Sequence, residues 1–197
     1  MKEENSIYSE LVEKEIEALR NIKIDRVTNM IGTILRTLGE GRIITSGMGK
    51  AGHVANSFST TLSSTGTPSH FLHPSEAQHG DLGIIKEGDI VIVFSNSGKT
   101  REIQELITLI HGLQKKIYVY AVVGKLNEFI SLNCADFLEF GVTEEICPLG
   151  LTPTTSTTCM SVICDLIVVG LMKHNNFTKL EYSKLHHAGY LGEKSRS

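Results

Sequence analysis

"DIVIVFSNSGKT", Asp89 to Thr100, decides the fold. Its apolar core, Ile90 to Phe94, is a continuous run rich in β-branched side chains, the pattern of a strand buried on both faces. Its second half places hydroxyls, an amide and a glycine where the chain turns, and helical spacing resumes at about residue 100. A strand covered on both faces needs helices on both sides, so the surrounding chain has to alternate. It does. "RIIT" (42–45) reads as a strand, with a helix from about 50 to 65 behind it. "SHFL" (69–72) reads as a second strand, "KIYVYAVV" (116–123) as a fourth after a helix at 100–113, and "DFLEF" (136–140) as a fifth. A helix over about 154–174 carries the last large apolar face, and the polar tail, 178–197, is expected to hold one short helix. Upstream, Ile7, Leu11, Ile16, Leu19, Ile22, Val27, Ile31 and Ile34 recur at helical steps, predicting one bent helix or two over 5–38, stopped by Gly39. The fold class is therefore α/β: a doubly wound, five-stranded parallel sheet flanked by helices, with an N-terminal helical segment over 1–38.

The 197 residues, 41% apolar and 21% charged, suit one globular domain spanning 1–197, without internal repeats. A net charge of -3 offers no broad basic field to nucleic acid or an anionic membrane. The N-terminal "MKEENSIYSE" lacks the apolar stretch of a signal peptide. The longest apolar run, Cys159 to Met172, contains Asp165 and is short for a bilayer. A cytoplasmic protein with neither nucleic-acid nor membrane partner is expected. Cys134, Cys147, Cys159 and Cys164 show no CxxC spacing and read as reduced, buried thiols rather than a zinc site.

In a doubly wound sheet ligands bind beyond the carboxyl ends of the strands, here the loops after 45, 72, 95, 123 and 140. Two of them are chemically loaded. "TSGMGKAGH" (Thr45–His53) spells G-x-G-x-x-G through Gly47, Gly49 and Gly52, but no acidic partner closes the next strand. Lys50 is followed by Ala51 rather than Ser or Thr, so it is not a P-loop either. A cradle for another phosphate and a plain tight turn both remain open. "SNSGKT" offers Ser95, Ser97 and Thr100 beside Asn96, where one hydroxyl would suffice to cap a helix. Three hydroxyls plus backbone N–H groups can surround a phosphate monoester. Beyond these, His70, His73 and His79 lie near Glu76 and Asp81 and suit either metal ligation or proton transfer. "TEEICPLGLTPTTSTT" (143–158) brings Glu144 and Glu145 to the same end of the sheet, with Thr154 to Thr158 able to cap and line the last helix. "HHAG" (186–189) puts His186 and His187 in the polar tail.

Taken in order, "GMGKAGH", "STGTPSHFLHPSEAQHGDLG", "FSNSGKTREI", "EEICPLGLTPTTSTT" and "HHAGYLG" resemble the sugar isomerase (SIS) domain, and within it the D-arabinose 5-phosphate isomerases, over about residues 40–193. The resemblance implies a five-stranded parallel sheet, a tetramer with active sites shared between subunits, and interconversion of D-ribulose 5-phosphate with D-arabinose 5-phosphate. That activity supplies 3-deoxy-D-manno-octulosonate (Kdo) for lipopolysaccharide or capsule and needs no cofactor. The family's functional positions fall at Lys50, Glu102, Glu145 and His186, with His79 a further candidate. Ser46, Gly47, Ser95, Asn96, Ser97 and Thr100 match the substrate-binding positions. The C–H base is left open among Glu145, His186 and His79, and zinc near His73 and His79 would be inhibitory rather than required. Longer relatives carry two CBS domains; a short form without them is expected here, with feedback by CMP-Kdo acting at the active site itself. The tail reads His186-His187 where relatives have His-Pro. The alternative reading is a phosphosugar-binding regulatory module without catalysis.

Overall fold

The protein is described by a computed structural model covering residues 2–141 and 144–196. Five strands, β1 (Ile43–Gly47), β2 (Ser69–Phe71), β3 (Ile90–Ser95), β4 (Tyr118–Val123) and β5 (Asp136–Glu139), form one parallel sheet in the order β2-β1-β3-β4-β5. The "IVIVF" run is buried at every position, as its composition requires. Its register sets Ile43 beside Ile90 and Gly47 beside Phe94 on one flank, and Ser95 beside Val123 on the other.

Alternate side chains feed two separate cores. On one face Ile43, Ile90, Ile92, Phe94 and Val122 pack under α2 (Ile24–Thr37), α3 (Gly49–Ser64) and α7 (Thr155–His174). On the other, Ile44, Val91, Val93, Val119 and Ala121 pack under α4 (Pro74–Ala77), α5 (Arg101–Gly112) and α6 (Glu128–Asn133). α7 is long and apolar enough to cross a membrane by length and composition alone, but half of it is buried in the first core.

The N-terminal segment is two helices, α1 (Lys2–Arg20) and α2, rather than one bent helix. The break between them turns Ile22 into the core, at 5% exposure. α2 stops ahead of Gly39, whose φ of +48° no helix accommodates. The tail corrects the expectation of one short helix: α8 (Lys179–Leu185) and α9 (Gly189–Arg196) stand there. A capping box starts α8. The Thr178 hydroxyl accepts from the Glu181 N–H at 3.2 Å, and the Glu181 carboxylate accepts from the Thr178 N–H at 2.7 Å. The cysteine expectation is also corrected in part. Cys159 and Cys164 are buried free thiols, but Cys134 and Cys147 are only half-buried, because they lie at the end of the short α6 and in the loop before α7.

At its amino end the β1–β3 pair is clamped by Asp89, 1% exposed. Its carboxylate accepts from the Arg42 N–H, the Lys86 N–H and the Arg42 guanidinium, each at 2.9 Å. Removing it strands three donors, one of them charged. Asp89→Ala is expected to cost about 3 kcal/mol in urea-unfolding stability. A change below about 0.5 kcal/mol, the size of an ordinary surface substitution, would contradict this.

Candidate functional site

The chain runs from β1 outward to β2, then crosses back to β3 on the other side of β1. α3 leaves β1 over one face of the sheet and α5 leaves β3 over the other. Their N-termini therefore open onto one crevice between neighbouring strands, at the switch point where such sheets bind ligands. Neither helix is capped by a side chain: Met48 at α3 and Thr100 at α5 make no capping hydrogen bond. The first-turn amides of both helices have no intrahelical acceptor, so two positive helix ends face one place.

Glycines make the first end possible. A Cβ on Gly52 would come 2.4 Å from the Gly47 carbonyl oxygen, and one on Gly47 would come 2.9 Å from the Ala51 backbone. Only a glycine pair lets α3 start this close to β1, and Gly49 between them takes φ +56°. Lys50, in the first turn of α3, is exposed.

The second end is the "SNSGKT" loop. Ser95, 2% exposed, shares a 2.8 Å hydrogen bond with the Thr100 hydroxyl. The Ser97 hydroxyl accepts from the Lys99 N–H at 3.1 Å. From behind, the Asn96 carbonyl accepts from the Gly124 and Lys125 N–H groups, both at 3.0 Å. Gly98, at φ +65°, leaves room for Asn127; a Cβ there would lie 2.8 Å from the Asn127 Nδ2. The loop is thus held by the β4–α6 connection while Asn96 and Ser97 stay exposed. Glu102, half-buried in the first turn of α5, and Lys50 make no hydrogen bond or ion pair among the described residues. Ser46 is buried beneath the loops and donates to the Leu72 carbonyl at 2.6 Å.

Glu145 has a different setting. Its carboxylate lies across the first turn of α7, accepting from the Thr154 N–H at 2.7 Å, the Thr154 hydroxyl at 3.1 Å, the Ser156 N–H at 3.2 Å and the Ser156 hydroxyl. Burial pushes its pKa up, but the donors from Ser156 and Thr154 together outweigh that and hold it below the ordinary value of 4.5. Thr155, between them, donates to Glu15 of α1 at 2.7 Å and accepts from the Ile146 N–H at 3.3 Å. Two residues on, the Cys147 sulfur accepts from the Leu151 and Thr152 N–H groups at 3.2 and 3.1 Å. The amides, Thr152 foremost, bring that thiol down to about 7. Thr143 of the same motif lies outside the described residues, and Glu144 is exposed.

The histidines do not converge. His70 and His79 are exposed, and His79 makes no side-chain hydrogen bond among the described residues. His73 is half-buried with its ring edge-on to Phe71, at 6.4 Å between centroids. Its Nδ1 is buried and has no hydrogen-bond partner among the described residues. Among the described residues no three His, Cys, Asp or Glu side chains are grouped to hold a metal. His186 ends α8, with its ring stacked on Tyr182. Tyr182 was not singled out from sequence, although its spacing of four residues before a helical histidine is a usable signal. The Ser156 and Thr154 donors to Glu145 were expected only as caps or lining. A groove of about 900 Å³ opens elsewhere, between α1, α2 and the end of β5, and includes neither loop of the crevice.

These features belong to one family. Residues 38–170 match the SIS domain model, and the chain is a member of that family. It is 41% identical over 156 residues, 79% of its length, to the arabinose 5-phosphate isomerase KdsD of Pseudomonas aeruginosa, covering 47% of that protein. It is 38% identical over 184 residues, 91% of its length, to KdsD of Francisella tularensis, covering 56% of that protein. The chain thus spans about half the length of the curated relatives it matches. Among solved structures, a Bacteroides fragilis protein described as a candidate phosphosugar isomerase involved in capsule formation superposes with a TM-score of 0.89 at 47% identity, over 93% of this chain and 97% of that one. An Escherichia coli CFT073 protein in complex with arabinose 5-phosphate superposes with a TM-score of 0.86 at 29% identity, over 94% and 98%.

A group held below its ordinary pKa stabilises the fold above that ordinary value, and the contribution is lost as pH falls through the folded one. Glu145→Gln is therefore expected to be less stable than wild type at pH 7, with the gap closing as pH falls below 4.5. Urea unfolding at both ends of that range checks this; a gap that is constant with pH would contradict it. The rate of Cys147 alkylation by iodoacetamide is expected to be half-maximal near pH 7, while Cys134, pushed up to about 12 by burial, stays unmodified over the same time. Peptide mass spectrometry reads both; equal labelling would contradict it.

Proposed function

We propose that the chain interconverts D-ribulose 5-phosphate and D-arabinose 5-phosphate at the crevice between β1 and β3, supplying Kdo synthesis for lipopolysaccharide or capsule. The observation that carries this is the pair of uncapped helix N-termini at neighbouring strand ends, with Ser95, Ser97 and Thr100 lining one of them. Such a site holds a phosphate monoester and fixes the rest of a short sugar relative to it. The relatives named above supply the substrate class.

The reaction moves one proton. A base takes the proton from C2 of the open-chain aldose, the electron pair forms the C1–C2 double bond, and O1 gains charge and then a proton. Return of a proton to C1, with loss of the one on O2, gives the ketose. No redox cofactor is needed. Ser95, Asn96, Ser97, Thr100 and Gly47 are proposed to hold the phosphate, with Ser46 supporting them from beneath. Lys50 offsets the charge developing on the enediolate oxygen. Glu102 orients a partner from the first turn of α5. Glu145 is occupied by four donors and held low in pKa, which suits a fixed anion better than a base at carbon. Proton transfer falls to a histidine, His186 or His79. The site is completed between subunits of a cytoplasmic homotetramer. Leu149 and Leu151, 76% and 77% exposed beside Cys147, suit burial against another copy. CMP-Kdo, anionic and polyhydroxylated, is expected to compete with substrate for the same loops.

Incubation with D-arabinose 5-phosphate in D2O, without metal or nucleotide, is expected to give ribulose 5-phosphate carrying deuterium at C1. His186→Ala is expected to lower exchange by at least about 100-fold, the range for loss of a general base, and Glu145→Gln to retain measurable exchange. Binding of the sugar phosphate with no turnover would favour the regulatory module instead.

A further inference from the structure

We propose that Tyr182 is a positioning residue for His186, and that it leaves Nε2 as the ring atom that exchanges protons with the sugar. The proposal rests on the catalytic reading of His186 above.

The tautomer follows from one contact. His186 Nδ1 lies 3.0 Å from the Tyr182 carbonyl oxygen. A carbonyl only accepts, so Nδ1 carries the hydrogen, and the lone pair of the neutral ring sits on Nε2. A single hydrogen bond still allows the ring to swing about the Nδ1–O axis. The Tyr182 ring removes that freedom: the two rings are stacked with centroids 3.7 Å apart and planes 6° apart. The same π face favours the imidazolium that forms when Nε2 takes a proton. In the reaction, Nε2 accepts the proton from C2 while Nδ1 keeps its own. The Nε2 proton of the resulting cation exchanges with solvent, the cation then delivers a hydrogen from Nε2 to C1, and the ring ends neutral.

Tyr182 is itself held from the main domain. Phe177 meets it edge-on, with centroids 6.5 Å apart and planes at 73°. Phe177 in turn lies against Gly66 in the loop after α3, where a Cβ would come 2.7 Å from its Cε2 atom. The capping box at Thr178 and Glu181 fixes the turn between the two aromatics. From the other side α9 closes on the His186 backbone, since a Cβ on Gly192 would come 2.5 Å from the His186 carbonyl oxygen. The histidine is therefore gripped by a relay that begins at the loop after α3, although it stands in a polar tail. The Tyr182 hydroxyl makes no hydrogen bond among the described residues, so the ring and not the phenol is what His186 uses.

The test uses the full chain. Tyr182→Phe keeps the stack and is expected to retain kcat within about twofold; Tyr182→Ala and Tyr182→Leu are expected to lower kcat by about 10- to 100-fold, the cost of a misplaced catalytic group. KM for D-arabinose 5-phosphate should stay within about threefold in all three, since the phosphate loops are untouched. Long-range 15N–1H NMR of the imidazole should show the Nδ1–H tautomer in wild type and in every folded variant, since the backbone carbonyl of residue 182 is kept, with the ring signals of Tyr182→Leu broadened by the freed swing of the imidazole. Circular dichroism and Tm confirm which variants fold, and Tyr182→Leu keeps the test alive if Tyr182→Ala does not. A folded Tyr182→Leu enzyme with wild-type kcat, or an Nε2–H tautomer in the wild type, overturns the proposal. His186→Ala separates the two readings. Full activity there removes His186 from the reaction and overturns the kinetic part, while the imidazole spectrum judges the positioning by itself.

Discussion

The parallel pairing of β1 with β3 is the constraint on which the rest depends. Because β2 lies on the outer flank of β1, the chain has to reverse direction across the sheet before it enters β3. That reversal throws α3 and α5 onto opposite faces and leaves their N-termini on either side of one crevice. Each end of the pair has its own chemistry. At the amino end, the buried Asp89 takes three donors and fixes the register. At the carboxyl end, Gly47 and Gly52 bring α3 down onto the strand until no Cβ fits between them. A slip of one residue in this pair would turn the apolar set of β3 over and carry Ser95 to the wrong face.

The helix ends decide where an anion can go. A full negative charge at a helix N-terminus stabilises it by about 0.3–1 kcal/mol, and more when partly buried. α7 already has its charge: Glu145 lies across its first turn, and Glu15 reaches the same turn through Thr155. α3 has no acidic side chain in its first turn, α5 has Glu102 there without a hydrogen bond to the helix end, and neither Met48 nor Thr100 caps its helix. The molecule thus satisfies one long helix internally and leaves the two beside the switch point for a ligand. The histidine of the tail is organised separately, by stacking and a backbone carbonyl, on a relay anchored at Gly66.

Much of the fold was legible because its elements announce themselves. "IVIVF" is too apolar for any place but the sheet centre, and Gly39 ends a helix as a glycine in that position should. The short elements were not legible, since α4 and α6 span one turn or little more and show no period. The second tail helix, α9, was missed because it lacks the apolar stripe that draws attention to a helix; the capping box at Thr178 and Glu181 marks only α8. At the site, the hydroxyl loop could be read locally, since its residues are adjacent. The clamp on Glu145 could not, because its donors stand nine to eleven residues away, beyond a proline-bounded loop. The burial of Ser46 was hidden for the same reason: its acceptor, Leu72, is supplied by the neighbouring strand's connection.

The central claim, that the two uncapped helix ends form the sugar-phosphate site, is tested most directly by titrating D-arabinose 5-phosphate into the 15N-labelled protein and following the backbone amides. The account predicts the largest shifts at 47–51 and 95–103, the loops and first turns of α3 and α5. Shifts confined to the groove between α1, α2 and β5, with these amides unmoved, would contradict it.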